Sequence, residues 1–327
     1  MKYLLAIIIF AIGITLGFFS TKLSNGSLDS NKKSSEIRLE DGFKFVNPLL
    51  ECEQGPNYLS RNSIKPFKPV IEKVVEKAIS ENRIDYVSVY FRDLNNGTWF
   101  SINESEKFFP ASLMKLPLLI YFLRETEISP GTLQAEVEYV SGQEATPQFF
   151  KPDNPVKVGE TYTINELLER AVTQSDNSAA LLLFQIADKN KFEKVFPEFG
   201  IDPPKENGQD YLNVKSYAAF FRILFNASYL SHEYSEFALN LLSKVKFNSG
   251  LNAKLPKSVV VSHKFGESQD KLTERKQLHD CGIVYYPNKP YLICLMTRGT
   301  NFDQMAGVIA DISKATYDEV DRQQKAN

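Results

Sequence analysis

The sequence predicts an α+β fold: an antiparallel five-stranded sheet, flanking terminal helices, and an inserted all-helical lobe. Three observations predict it. Alternating or β-branched runs fall in two separate stretches, near 85–102 and 258–297. The long segment between them carries helical spacing and almost no strand signal. Amphipathic helical patterns lie outside the two β stretches, at 68–80 and 302–320, where they can cover one face of a sheet completed from both chain ends.

Each element has its own signal. In 68–80 the apolar residues Val70, Ile71, Val74, Val75, Ala78 and Ile79 share one helical face. Residues 85–91 alternate as a strand, Asn95-Asn96-Gly97 turns the chain where Gly97 tolerates positive φ, and 98–102 return. Residues 113–123 are helical and strongly apolar. A second helix of the insert opens with Thr163 and Glu166 in capping-box spacing and ends before Gln174. Further helices are expected at 179–187, 214–226 and 236–245. Strands at 258–263, 280–286 and 291–297 follow, the last two joined by Pro287-Asn288-Lys289-Pro290.

The chain has 327 residues, 43% hydrophobic and 24% charged, which excludes a disordered or fibrous protein. Its 38 basic and 40 acidic residues leave a net charge of −2, which does not suggest a polyanion partner, so no nucleic-acid partner is expected. Three His and three Cys argue against a multi-ligand zinc site and exclude a disulfide scaffold, and no metal or cofactor is expected. Met1-Lys2 precedes an uncharged apolar run from Tyr3 to Phe19. Residues 1–20 therefore read as a membrane anchor or a signal segment, and 21–42 as a polar linker. The folded domain is expected over 43–325, with a sheet lobe at about 43–110 and 255–325 and a helical lobe at about 111–254. Export would permit one disulfide. Cys52 with Cys281 is the first pair to test; Cys281 and Cys294 lie on one hairpin at an offset that need not oppose them; three reduced thiols are the alternative.

Three short motifs carry chemistry. Ser112-Leu113-Met114-Lys115 opens the first insert helix, where i and i+3 share a face and the lysine amine can reach the serine hydroxyl. The pattern alone is weak, since Ser30, Ser243 and Ser268 also have Lys three residues on, and a capping serine beside a surface lysine looks the same. Ser175-Asp176-Asn177 falls between two apolar helices, where an ordinary capped turn would also put it. His263-Lys264-Phe265-Gly266 closes a β run, where a lysine is otherwise a solvated edge residue.

Taken in order as Ser-x-x-Lys, Ser-Asp-Asn and Lys-x-Gly, the three resemble the class A β-lactamase and penicillin-binding protein superfamily of active-site serine enzymes. The resemblance runs from about residue 70 to 320. It includes Phe109-Pro110-Ala111 before the first motif, Tyr162 to Leu167 before the second, and the strand from Asp280 to Pro287. It implies Ser112 as acylated nucleophile, Lys115 as its base or its hydrogen-bonding activator, Ser175 as proton relay to the leaving nitrogen, and Asn177 as the residue positioning Lys115 and substrate. It implies Lys264 and Gly266 as substrate-binding, Lys264 supplying a nearby cation and a ligand for a substrate carboxylate. The backbone N–H of Glu267 would complete an oxyanion hole with that of Ser112.

Two departures qualify the match. Phe265 stands where the family carries a hydroxyl that hydrogen-bonds the substrate carboxylate; Ser262 and Ser268 are the nearby substitutes. The loop after Ser-Asp-Asn lacks the family's Glu-x-x-Leu-Asn signature, leaving Glu198, Glu206 and Asp210, of which Glu206 is the candidate for activating the deacylating water. The expected function is an exported class A β-lactamase-like serine hydrolase acting on a small-molecule β-lactam, attached to the membrane by its N-terminal segment or secreted after cleavage. The alternatives are a D-alanyl-D-alanine peptidase acting on cell-wall peptide, and a slowly deacylating β-lactam sensor.

Overall fold

The computed structural model describes residues 43–47, 64–140, 147–204, 210–270 and 274–326. Helix α1 (Lys68–Ser80) turns Ile71, Val75 and Ala78 inward, and its first turn carries a proline, where the missing N–H costs nothing. Strands β1 (Tyr86–Asp93) and β2 (Trp99–Ile102) pair antiparallel in the register Val89↔Ile102. After the helical insert come β5 (Val261–Gln269), β6 (Lys276–Val284) and β7 (Tyr291–Gly299), then helix α8 (Phe302–Lys325). The sheet order is β2-β1-β7-β6-β5, so β1 joins the C-terminal hairpin through β7, with Tyr90 opposite Cys294. β7 is buried along its whole length, as its run of apolar residues requires, and β2 and β5 form the two edges.

The insert is built on α2 (Lys115–Ile128), preceded without a break by a 3₁₀ turn at Ala111–Met114. Leu116 to Leu123 are all buried, so this helix forms the centre of its layer. Around it stand α3 (Ile164–Thr173), α4 (Asn177–Ile186), α5 (Lys189–Glu198), α6 (Val214–Phe225) and α7 (His232–Leu242). The Thr163–Glu166 capping box forms as its spacing predicts, each side chain satisfying a backbone N–H of the other. Asp176, Asp188, Asn213 and Ser231 cap the next four helices, each side chain accepting from a backbone N–H of the first turn.

The structure differs from the pattern-based expectation in several elements. A two-stranded ribbon, β3 (Glu136–Glu138) with β4 (Thr161–Thr163), stands in a region without strand signal; three-residue strands are too short to establish a period. Helix α5 has only Phe192, Val195 and Phe196 as buried residues among charges, and Pro197 in its last turn, so its pattern was faint. Strand β5 begins at Val261 and runs through Lys264 to Gln269, past the expected end at His263; pairing with β6 overrides the polar composition of its second half.

The cysteines correct another expectation. Cys281 is disulfide-bonded to Cys294, not to Cys52, and Cys52 lies outside the described residues. β6 ends at Val284, two residues earlier than expected, so the connection 285–290 centres the hairpin where Cys281 and Cys294 fall directly opposite. The apolar N-terminal run also lies outside the described residues, and among the described residues no helix is long and apolar enough to cross a membrane.

Candidate active site

Ser112 sits in the 3₁₀ turn that feeds α2, half-buried, and Lys115 is the first residue of the helix. The i to i+3 spacing brings the Lys115 amine to 2.9 Å from Ser112 Oγ. Three more acceptors surround that amine: Asn177 Oδ1 at 2.7 Å, the Ser175 carbonyl at 2.6 Å and Ser175 Oγ at 3.2 Å. Lys115 is 4% exposed. Burial pushes its pKa down to about 7, against the opposing pull of Asp176 and Glu267.

The second motif is positioned by backbone strain and a cap. Ser175 has φ of 55° and Ala111, just before the first serine, 49°. Both are left-handed conformations that cost a residue with a Cβ about 1–2 kcal/mol. Asp176 fixes the turn by accepting from Ser178 and Ala179 N–H with one oxygen and from Val156 N–H with the other. This leaves the Ser175 hydroxyl between two amines, 3.2 Å from Lys115 and 3.0 Å from Lys264.

The third motif comes from the sheet edge. Lys264 is fully buried; it donates to Ser175 Oγ and, at 2.8 Å, to the carbonyl of Phe265. Burial, then the charge of Lys115, push its pKa well below the ordinary lysine value. Gly266 allows the approach: a Cβ there would lie 2.9 Å from the Leu113 amide nitrogen and 3.0 Å from the Pro110 carbonyl. Tyr285 N–H bonds the Val260 carbonyl and Asp270 N–H the Arg275 carbonyl, which sets the alternation along β5. Even-numbered residues bond β6, so the N–H of Glu267 turns to the open edge.

Pattern reading left Glu267's side chain without a part. One carboxylate oxygen accepts the Phe150 N–H at 3.0 Å, while the other is buried without a partner among the described residues. Burial raises its pKa, with the Phe150 and Phe149 amides and both lysines pulling the other way. Gln148 was also missed. Its amide donates to the Ser175 carbonyl at 3.3 Å and accepts from Asn177 N–H at 3.3 Å, tying the 147–150 segment to the second motif. Neither residue belongs to a sequence pattern; the signal exists only once the fold brings the segments together.

Of the substitute hydroxyls, Ser262 is turned away to the Leu239 carbonyl. Phe265 stacks on Phe247 with ring centroids 4.3 Å apart, and Phe150 stands edge-on to it at 5.9 Å. A groove of about 550 Å³ opens beside these rings, bounded also by Phe149, Lys151 and Lys246. Among the loop carboxylates, Glu198 accepts from Tyr229 OH and Asp210 from Arg298 and Gln277. Glu206 lies outside the described residues. No group of His, Cys, Asp and Glu able to hold a metal occurs among the described residues.

The fold brings a serine, two lysines and an asparagine together, the side-chain set of a serine hydrolase-type enzyme. The family model described as the beta-lactamase enzyme family matches residues 69–320, and the chain belongs to that family. The chain is 25% identical over 257 residues to beta-lactamase VEB-1 of Pseudomonas aeruginosa, covering 71% of this chain and 84% of that one. Among solved structures, a beta-lactamase from Chitinophaga pinensis DSM 2588 superposes with a TM-score of 0.67 at 24% identity, covering 76% of this chain and 98% of that one. The structure of PBP-A gives 0.66 at 20% identity, covering 79% and 98%. The α+β fold expected from the sequence is the fold of these proteins.

Proposed function

We propose that this protein is an exported serine hydrolase that is acylated on Ser112 by a β-lactam or related amide. The observation that carries the reading is the 2.9 Å contact between Ser112 Oγ and a lysine amine whose pKa is near 7. Neutral Lys115 takes the Ser112 proton as Oγ bonds the scissile carbonyl carbon. The oxyanion is met by the N–H groups of Ser112 and Glu267. The carbon–nitrogen bond then breaks, and the leaving nitrogen takes a proton from Ser175, which is resupplied from Lys115 with Lys264 as the neighbouring cation. Asn177 holds the Lys115 amine. Water then cleaves the Ser112 ester, giving a carboxylic acid and the free hydroxyl. A mutant of PBP-A is described in an acyl-enzyme complex with penicillin-G, which supports the first half of this sequence by analogy. Export, through residues 1–20 as anchor or cleaved signal, belongs to the same reading.

A second reading, a D-alanyl-D-alanine peptidase or slowly deacylating sensor, is favoured by the engagement of Glu198 and Asp210 elsewhere. Mass spectrometry with a penicillin separates them. A transient adduct on Ser112 with hydrolysed product supports the hydrolase, and a persistent adduct supports the second reading. Absence of any adduct, with Ser112→Ala matching the parent, removes both.

A further inference from the structure

We infer that the leaving-group side of this cleft selects acyl donors whose leaving nitrogen has no carboxylate beside it, a neutral ester or amide standing there instead. The inference rests on Ser112 being the acylated residue, and it narrows the substrate.

Bond geometry places the anion. In a penicillin, and in a peptide ending in a free amino acid, the carboxyl carbon is attached to the carbon that bears the leaving nitrogen. It therefore lies about 2.5 Å from that nitrogen. The nitrogen must come within about 3 Å of its proton donor, Ser175 Oγ. The carboxylate has to lie within a few ångströms of Ser175, whose hydroxyl is 3.0 Å from the amine of Lys264 on β5.

That place is built against an anion. Lys264 is fully buried and donates to Ser175 Oγ and the Phe265 carbonyl. The ring of Phe265 covers its amine, with the centroid 4.3 Å from Nζ. The ring is held in turn by Phe247 and Phe150, so this side of the Lys264 amine is closed to an anion. Two residues on, Glu267 leaves the same face of β5 and brings a carboxylate with one buried, unpartnered oxygen. A second carboxylate there meets like charge, whereas a neutral ester or amide does not. The groove beside the rings carries Lys151 and Lys246, and Lys246 is paired with Asp153 at 2.8 Å. The same argument tells against a cell-wall peptide ending in a free carboxylate.

The test compares benzylpenicillin, its methyl ester and its primary amide as acylating agents of the full chain. Adduct formation on Ser112 is followed by mass spectrometry, and each rate is divided by that compound's hydrolysis rate in the same buffer. Ester and amide are expected to acylate at least tenfold faster than the free acid. In Glu267→Gln, and in Phe265→Thr, the ratio is expected to move at least tenfold toward the acid. Rates that are equal or favour the acid, or a ratio unmoved in both variants, overturn the inference while leaving Ser112 as nucleophile. If none of the three compounds modifies Ser112, the acylation reading itself fails and this inference with it.

Discussion

In the proposed reaction Lys115 is the deciding residue, a buried amine set among four acceptors. An amine held at about pH 7 is charged below that value and cannot accept the Ser112 proton. The acylation rate constant should therefore rise about tenfold per pH unit below 7 and level off above it. A pH profile of adduct formation that is flat from pH 5 to 9 would exclude Lys115 as the base. Lys115→Ala should lose about 10²- to 10⁴-fold in the same rate. The three motifs were legible as residues because their order is specific even where each alone is weak. Their strain was not: nothing in an alanine or a serine announces the left-handed backbone found at Ala111 and Ser175. That conformation comes from packing against residues far along the chain, which a local pattern does not contain.

At the scale of the element, the edge strand β5 works by proximity. Gly266→Ala would force the strand off the 3₁₀ turn, since the new methyl meets backbone atoms of Leu113 and Pro110. A displacement of about 1 Å at a catalytic group costs on the order of 10²-fold. Acylation by Gly266→Ala should fall by about that factor, while circular dichroism remains that of the parent. β6 contributes a pH-sensitive prop. His279 Nε2 donates to the carbonyl of Phe109, three residues before the serine, and burial lowers its pKa to about 4. From the ordinary 6.5 down to about 4 the unfolded chain binds a proton that the folded ring refuses. Stability should thus fall by about 1.4 kcal/mol per pH unit as pH drops through that window. Urea unfolding at pH 7 and 4.5 checks this: the difference should shrink by about 2–3 kcal/mol in His279→Phe. The helices with wide apolar stripes and clear caps were readable in sequence. The extension of β5 through Lys264 and Glu267 was not, because long-range pairing rather than composition makes it a strand.

Across the whole molecule, the same joining of distant segments that assembles the sheet also determines how an acylated serine would be relieved. The loop from 199 to 213 returns beside the serine turn: Leu212 bridges Phe108, and Tyr211 OH lies 3.2 Å from Met114 Sδ. Two of its carboxylates lie among the described residues. Asp202 is exposed beside Lys107, and Asp210 is clamped by Arg298 and Gln277. Glu198, just before the loop, is taken by Tyr229. Acylation supported by Lys115 should therefore outrun hydrolysis. Mixing the protein with a chromogenic β-lactam should release a burst of about one equivalent per chain, followed by a slower steady rate. Asp210→Asn should leave the adduct lifetime unchanged and lower the melting temperature, because it loosens Arg298 without touching the serine. Glu206→Gln is the decisive variant. A lifetime lengthened about tenfold or more makes Glu206 the residue that activates water, in keeping with the usual size of general-base effects. An unchanged lifetime leaves that loop without a water activator and assigns the slow step to the serine, lysine and asparagine that formed the ester.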